Sequence, residues 1–400
     1  MKLYFNDQAF SFELLRAVSY SRYHGASIGE ALATAARIKE DDFNSWYEEF
    51  SKTADKTALR AEKCLEGKHK TSAKEAFLRA HNYYRTAEFF LDGTDPRRML
   101  NFEKSVTTFE KAMKLFKTYY EIVEIPYQDT YLKGYFFGSH DYDPKTPKPT
   151  LMAIGGYDST LQELYFCAAA PAIDRGYNCL IFELPGQGQA LRTQNLIMRH
   201  DTEVPVGAAV DFISKRADVD KDAVALFGMS LGGYFAPRAA AFDERIKAVV
   251  TFNVFYDTYE STLNQNPQLK VLETLPNEKK EALLAMAEEK NPSLRWMINN
   301  GIWVMGLKHR YEVFDEMKKY TLRGVADKIK CPVLLTIGEA DHFVSEDQLQ
   351  QLTDSIQSPK TVYRFTREDE AEEHCQEGNH ELFHQVMFDW MDDQFKYYPE

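Results

Sequence analysis

Cysteine is scarce in this sequence and follows no pattern. The five residues Cys64, Cys167, Cys179, Cys331 and Cys375 are odd in number and lack CxxC spacing. That excludes a disulfide framework and leaves a zinc site without support, so reduced thiols in a cytoplasmic protein are the expectation. Long hydrophobic runs are missing too. No stretch approaches the roughly eighteen uninterrupted apolar residues of a bilayer span, so a soluble chain with no membrane partner is expected. The opening MKLYFNDQAFSFELL carries Asp7 and Glu13 where a secretory signal has its apolar core, which argues against export. Basic charge is in deficit: 48 Lys and Arg stand against 61 Asp and Glu, a formal net charge of -13. Bulk electrostatics therefore favours neither nucleic acid nor anionic lipid as a partner.

What remains is a globular composition, 44% hydrophobic and 14% aromatic over 400 residues. That length calls for two regions, or one large α/β domain with additions. From about residue 10 to 117 apolar residues recur at three and four, as in SIGEALATAARI and KTSAKEAFLRAHNYYRTAEFFL, which predicts helices. A tetratricopeptide-like array is the alternative, but no self-similarity at a spacing of roughly 34 residues is visible. At 118 the period changes. YYEIVEIPY and TYLKGYFFG read as a hairpin, and TLMAIGG, NCLIFELPG, AVALFGM, IKAVVTF, CPVLLTIG and TVYRF read as buried strands, most of them separated by helical patterns. The expected class is α/β: a mostly parallel sheet covered by helices on both faces. The expected organisation is a helical N-terminal domain at 1–117, a core at 118–254 and 329–400, and a helical lid insertion at 255–328.

GMSLG, residues 228–232, lies between the strand-like AVALFG and a helical pattern rich in small residues. A serine on a strained strand-to-helix turn needs glycine on either side, because any β-carbon there meets neighbouring backbone. Ser230 is therefore the candidate nucleophile. A hydroxyl reacts only when a base takes its proton and a third group orients that base. Asp341 follows CPVLLTIG at a strand's carboxyl end and is the candidate acid, ahead of Glu339 and Asp347. His374 is the last histidine before the final helix and the candidate base. Its rivals are His342, beside the acid, and His380 and His384, four apart on one helical face. With no third ligand nearby that pair reads as surface histidines and not as a metal site. For the oxyanion, the backbone of Leu231 is one candidate donor and that of Gly156 or Tyr157, after TLMAIGG, the other. A second glycine cluster, ELPGQGQ at 183–189, lacks the endings of phosphate-binding loops; it reads as a turn that brings Glu183 and Gln187 near the pocket.

These motifs resemble those of the α/β-hydrolases. SAKEAFLRAHNYYRTAEFF, IGGYDST, ELPGQGQ, FGMSLGGYFAPRAA, IGEADHFV and EEHCQEGN together resemble the subgroup with a helical N-terminal extension, which includes 2,6-dihydroxypseudooxynicotine hydrolase, FrsA-like esterases and fungal polyketide-shortening hydrolases. The resemblance implies a Ser230, Asp341, His374 triad with the same oxyanion donors. It also implies hydrolysis of a carbon–carbon bond beside a ketone, or of an ester, in an aromatic or polyketide compound, no cofactor, and a homodimer. An accessory acidic residue assists in some members, for which Asp257 and Glu163 are the candidates. Trp296, Met297, Trp303 and Met305, with Tyr83 and Tyr84, are candidates for an apolar pocket wall. The competing expectations are an esterase or aminopeptidase-like peptidase with the same triad, and a non-catalytic scaffold.

Overall fold

Three aspartates start helices in the N-terminal region by accepting hydrogen bonds from otherwise orphaned backbone N–H groups. Asp7 caps α1 (Gln8–Ser19) at Phe10, Asp42 caps α3 (Phe43–Glu66) at Asn44 and Ser45, and Asp95 caps α5 (Pro96–Met113) at Arg97, with Pro96 in the first turn. Between them lie α2 (Ile28–Ala35) and α4 (Lys70–Glu88). Their apolar stripes meet around Phe10, Leu14, Trp46, Phe50, Tyr83 and Phe90. The rings of Phe10, Phe43 and Phe90 stack at 4.5–5.9 Å. The one polar atom of Trp46 donates to the carbonyl of Thr86 at 2.8 Å. Each such buried ring contributes roughly 1.5–3 kcal/mol.

In this computed structural model, which describes residues 1–399, the chain forms two units. The first joins Met1–Lys117 to Met286–Trp303; the second comprises Thr118–Ala285 and Val304–Glu400. Most of the helix Pro292–Val304 thus belongs to the helical unit. Among the described residues no helix is long and apolar enough to cross a membrane, and all five cysteines are free thiols.

The second unit is an eight-stranded sheet in the order β1-β2-β4-β3-β5-β6-β7-β8. β1 (Tyr120–Tyr127) and β2 (Thr130–Phe137) form the expected hairpin, and β2 runs antiparallel to β4 (Asn178–Phe182). From β4 onward the sheet is parallel, through β3 (Lys148–Ile154), β5 (Val219–Met229), β6 (Ala248–Phe252), β7 (Val333–Gly338) and β8 (Lys360–Phe365). β3, β4, β6 and β7 are buried along their whole length, which is why they read as unbroken apolar runs. The α/β class expected from the strand and helix periods is the class observed. The order reverses at β3, whose neighbours are β4 and β5. A parallel sheet opens a crevice at the carboxyl ends of its strands at such a reversal, and there the chain places Gly155, Gly156 and Ser230.

Candidate active site

Ser230 is the residue after β5, and its backbone is in the left-handed region with φ +57°. A non-glycine residue there costs roughly 1–2 kcal/mol, so the surroundings must hold it. They do: its N–H donates to Phe252 O at 2.8 Å and its carbonyl accepts from Gly233 N at 2.7 Å. Glycine is required at 228 because a β-carbon there would lie 2.0 Å from the carbonyl oxygen of Gly232. Gly233 answers the same constraint against Asn253 O, at 1.8 Å. The result is a serine that keeps partial exposure while Gly228, Met229, Leu231 and Gly232 are buried.

The Ser230 hydroxyl lies 2.8 Å from His374 Nε2, and His374 Nδ1 lies 2.7 Å from Asp341 Oδ2. A carboxylate accepts only, so Nδ1 carries the proton and Nε2 presents its lone pair to the hydroxyl. Asp341 is held by its other oxygen, which accepts from Phe343 N at 2.7 Å and Val344 N at 2.9 Å. The loops after β7 and β8 are joined through backbone: Ala340 N donates to Glu372 O, and a β-carbon on Gly338 would lie 2.4 Å from that same oxygen. The loops that carry Asp341 and His374 are thus fixed relative to each other by backbone contacts alone. Phe343 meets the His374 ring edge-on at 4.8 Å, with Phe255 and His342 each at 6.2 Å. All three are partly exposed. Burial pulls the His342 pKa down to about 4 despite the nearby Asp341 charge, so its ring is neutral at pH 7.

Gly156 packs directly on the Ser230 turn. A β-carbon at 156 would stand 2.8 Å from Leu231 N and 3.0 Å from Ser230 Cβ. The Gly156 carbonyl is held by Gln187 Nε2 at 2.8 Å, and Gln187 Oε1 accepts from Leu184 N at 3.0 Å. Gln187 and its neighbour Glu183, both buried, come from the ELPGQGQ turn. Glu183 accepts from Gln189 N and Ala190 N; burial nevertheless pushes its carboxyl up to about 7.

The profile of the alpha/beta hydrolase fold family matches residues 154–384, the span from the end of β3 to the last helix. The chain belongs to the α/β-hydrolase family. The resemblance seen in the motifs and the fold expected from it are both borne out. The 20-hydroxy-prefusarin hydrolase FUS2 of Gibberella moniliformis is 37% identical to this α/β-hydrolase over 85% of this chain and 84% of its own. The hydrolase acrC of Aspergillus aculeatus is 32% identical over 97% and 96%. The crystal structure of 2,6-dihydroxy-pseudo-oxynicotine hydrolase superposes with a TM-score of 0.73, covering 94% of this chain and 95% of that one; at 22% identity the likeness is one of fold.

The remaining candidates of this α/β-hydrolase have partners of their own. Asp257 caps the helix Thr258–Gln265 at Glu260 N and faces Arg323 at 3.4 Å. Glu163 is fully buried in the short turn that follows the Gly155–Gly156 loop. Tyr83, Tyr84, Trp296 and Trp303 belong to the helical unit. Tyr83 is buried and bonds Glu30 and Ser27, Tyr84 bonds Asp55, Trp296 stacks on Phe89 at 4.7 Å, and Trp303 lies 4.2 Å under Arg98. His380 and His384, expected on the surface, are buried. His380 pairs with Glu377 at 3.1 Å and His384 Nε2 donates to Cys167 O at 3.0 Å. A helix face turned inward, with an acceptor waiting for each ring, explains the difference. Burial alone disfavours an imidazolium, yet Glu377 holds His380 above the ordinary histidine value. Sequence reading gave no role to Asn253, which lies outside every quoted motif, or to Gln376, which lies within EEHCQEGN; Asn253 contacts Asp341, and Gln376 follows His374 by two residues and contacts Asn253.

Proposed function

We propose that this α/β-hydrolase works as a serine hydrolase on a neutral, hydrophobic or aromatic small molecule, cleaving a carbon–carbon bond beside a ketone or an ester. The observation that carries the reading is the unbroken chain Ser230 Oγ to His374 Nε2 at 2.8 Å and His374 Nδ1 to Asp341 Oδ2 at 2.7 Å. His374 takes the Ser230 proton as Oγ attacks the carbonyl carbon, and Asp341 stabilises the imidazolium that results. The backbone N–H of Leu231 is the first oxyanion donor. Tyr157 is the second in preference to Gly156: Gln187 holds the Gly156 carbonyl, and the planar trans peptide then aims the Tyr157 N–H the opposite way. Collapse breaks the bond to the leaving group. His374 returns its proton to the departing enolate carbon or alkoxide oxygen, and water activated by the same imidazole frees the acyl group as a carboxylic acid.

The partly exposed rings of Phe255, His342 and Phe343 beside His374 support the substrate class. FUS2, at 37% identity, is named for its hydrolysis of 20-hydroxy-prefusarin. The test begins with a fluorophosphonate probe, which should label the wild type and leave Ser230→Ala unlabelled. A panel of p-nitrophenyl esters, aminoacyl anilides and β-diketones should then give turnover on diketones or esters. Strong anilide turnover with none on the diketones would overturn the substrate reading, and a folded wild type that resists labelling would overturn the mechanism.

A further inference from the structure

Asn253 is fully buried immediately after β6, with its backbone in the left-handed region at φ +75°. Its amide group touches both loops that carry the proposed acid and base. Nδ2 donates to Asp341 Oδ2, the oxygen that also receives His374 Nδ1. Oδ1 accepts twice, from Cys375 N at 3.0 Å and from Gln376 Nε2 at 3.0 Å. The amide orientation follows from the partners: a backbone N–H only donates, so oxygen must face Cys375 and nitrogen must face the carboxylate. Cys375 and Gln376, the two residues after His374, are themselves left-handed at φ +53° and +47°. Two consecutive non-glycine residues in that region persist only where the surroundings over-determine them. Here the Asn253 oxygen captures one at its N–H and the other at its side chain. Asn253 is anchored in turn. Its N–H donates to Thr336 Oγ1 at 3.3 Å on β7, and its carbonyl leaves room only for glycine at 233, inside the nucleophile's helix.

We infer that Asn253 is a positioning residue of the reaction: one amide sets the Asp341 carboxylate and clamps the strained turn that aims His374 at Ser230. It touches no reacting atom and acts through its two neighbours. An amide is required in place of an acid. A carboxylate at 253 would still accept from Cys375 and Gln376 but would withdraw the donor from Asp341 and set a second negative charge against it.

The inference rests on the serine-hydrolase reading, and the experiment separates the two. Fluorophosphonate labelling rates are measured from pH 5 to 9 for wild type, Ser230→Ala, Asn253→Ala and the near-isosteric Asn253→Asp, with p-nitrophenyl ester kcat and KM alongside. Asn253→Ala should label and turn over about 100-fold more slowly, KM changing by no more than about threefold, because the imidazole loses its aim while the pocket stays. In Asn253→Asp the extra carboxylate favours the imidazolium, so the acid limb of the profile should move to higher pH by about one unit. A purely structural role would lower folded yield and leave that limb in place. Labelling of Ser230→Ala would sink the underlying mechanism. An unlabelled Ser230→Ala beside an Asn253→Asp with wild-type rate and wild-type acid limb would sink the role of Asn253 alone. Should Asn253→Ala fail to fold, the Asp variant decides by itself.

Discussion

Gly156→Ala tests the oxyanion arrangement through a single methyl group. The new β-carbon would lie 2.8 Å from Leu231 N, 2.8 Å from Met229 O and 3.0 Å from Ser230 Cβ. All three belong to the turn that holds the nucleophile, and two are backbone atoms, so no flexible side chain can move aside. Ser230 is tied to Phe252 O and Gly233 N, which leaves the 155–157 loop as the part that must retreat. Retreat takes the proposed donor, Tyr157 N–H, away from the carbonyl under attack. Loss of one such donor costs about 100- to 1,000-fold in kcat, roughly 2.7–4 kcal/mol of transition-state stabilisation. KM should change little, because a ground-state carbonyl is held less tightly than the oxyanion. Overpacking adds a destabilisation of about 1–3 kcal/mol, to be read separately from a thermal melt. The assay is steady-state hydrolysis of a p-nitrophenyl ester together with the fluorophosphonate labelling rate, both of which pass through a tetrahedral oxyanion. A Gly156→Ala enzyme with kcat within about threefold of wild type refutes the reasoning, for it would mean that the loop after β3 takes no part.

Gln187→Leu leaves the Gly156 carbonyl and the Leu184 N–H without their side-chain partner, and each such loss costs about 1–3 kcal/mol; stability should fall and kcat should drop about tenfold or more, whereas an unchanged kcat would free the loop from any dependence on Gln187. Gly207 sits inside the helix Glu203–Ile213 with open space around the position of its missing β-carbon, so Gly207→Ala should stabilise by about 0.5–1 kcal/mol without affecting turnover, and a lower melting temperature counts against it. Glu183 has its carboxyl raised from 4.5 to about 7. The folded state therefore keeps a proton that the unfolded chain loses between those values, and the contribution to stability falls as pH rises through that window and is flat above it. The difference amounts to about 3 kcal/mol at most. Denaturant unfolding at pH 5 and pH 8 should show wild type losing stability relative to Glu183→Gln over that window, the lowered His81 and His342 acting alike in both proteins, and a difference between the two that stays constant contradicts the assignment.

The parallel strands were legible because burial on both faces leaves no polar position to interrupt β3, β4, β6 or β7. Ser230 was legible because its turn imposes glycine at fixed offsets, and Asp341 because it follows a strand whose carboxyl end opens on the crevice. What lay outside the sequence's reach depends on partners far along the chain. His380 and His384 have the spacing of one helix face, but only the fold turns that face inward and brings the Cys167 carbonyl to His384. The same holds for Tyr83 and Tyr84, whose hydroxyls find Glu30 and Asp55 in neighbouring helices.

The deepest omission was the left-handed residues that cluster with Ser230. Ser230, Asn253, Cys375 and Gln376 all occupy backbone conformations that favour glycine, and glycine at any of them would relieve strain. The chain instead keeps side chains at all four, and three of those side chains engage the cluster directly: the Ser230 hydroxyl on His374, the Asn253 amide on Asp341, and the Gln376 amide on Asn253. Local propensity and local chemistry disagree at these positions, and chemistry prevails because each side chain is bound to the next. Conformational strain that persists only where a hydrogen-bonded network over-determines it marks a functional site independently of any motif. By that criterion the residues after β6 and after His374 join the proposed site on the same ground as the serine between its glycines.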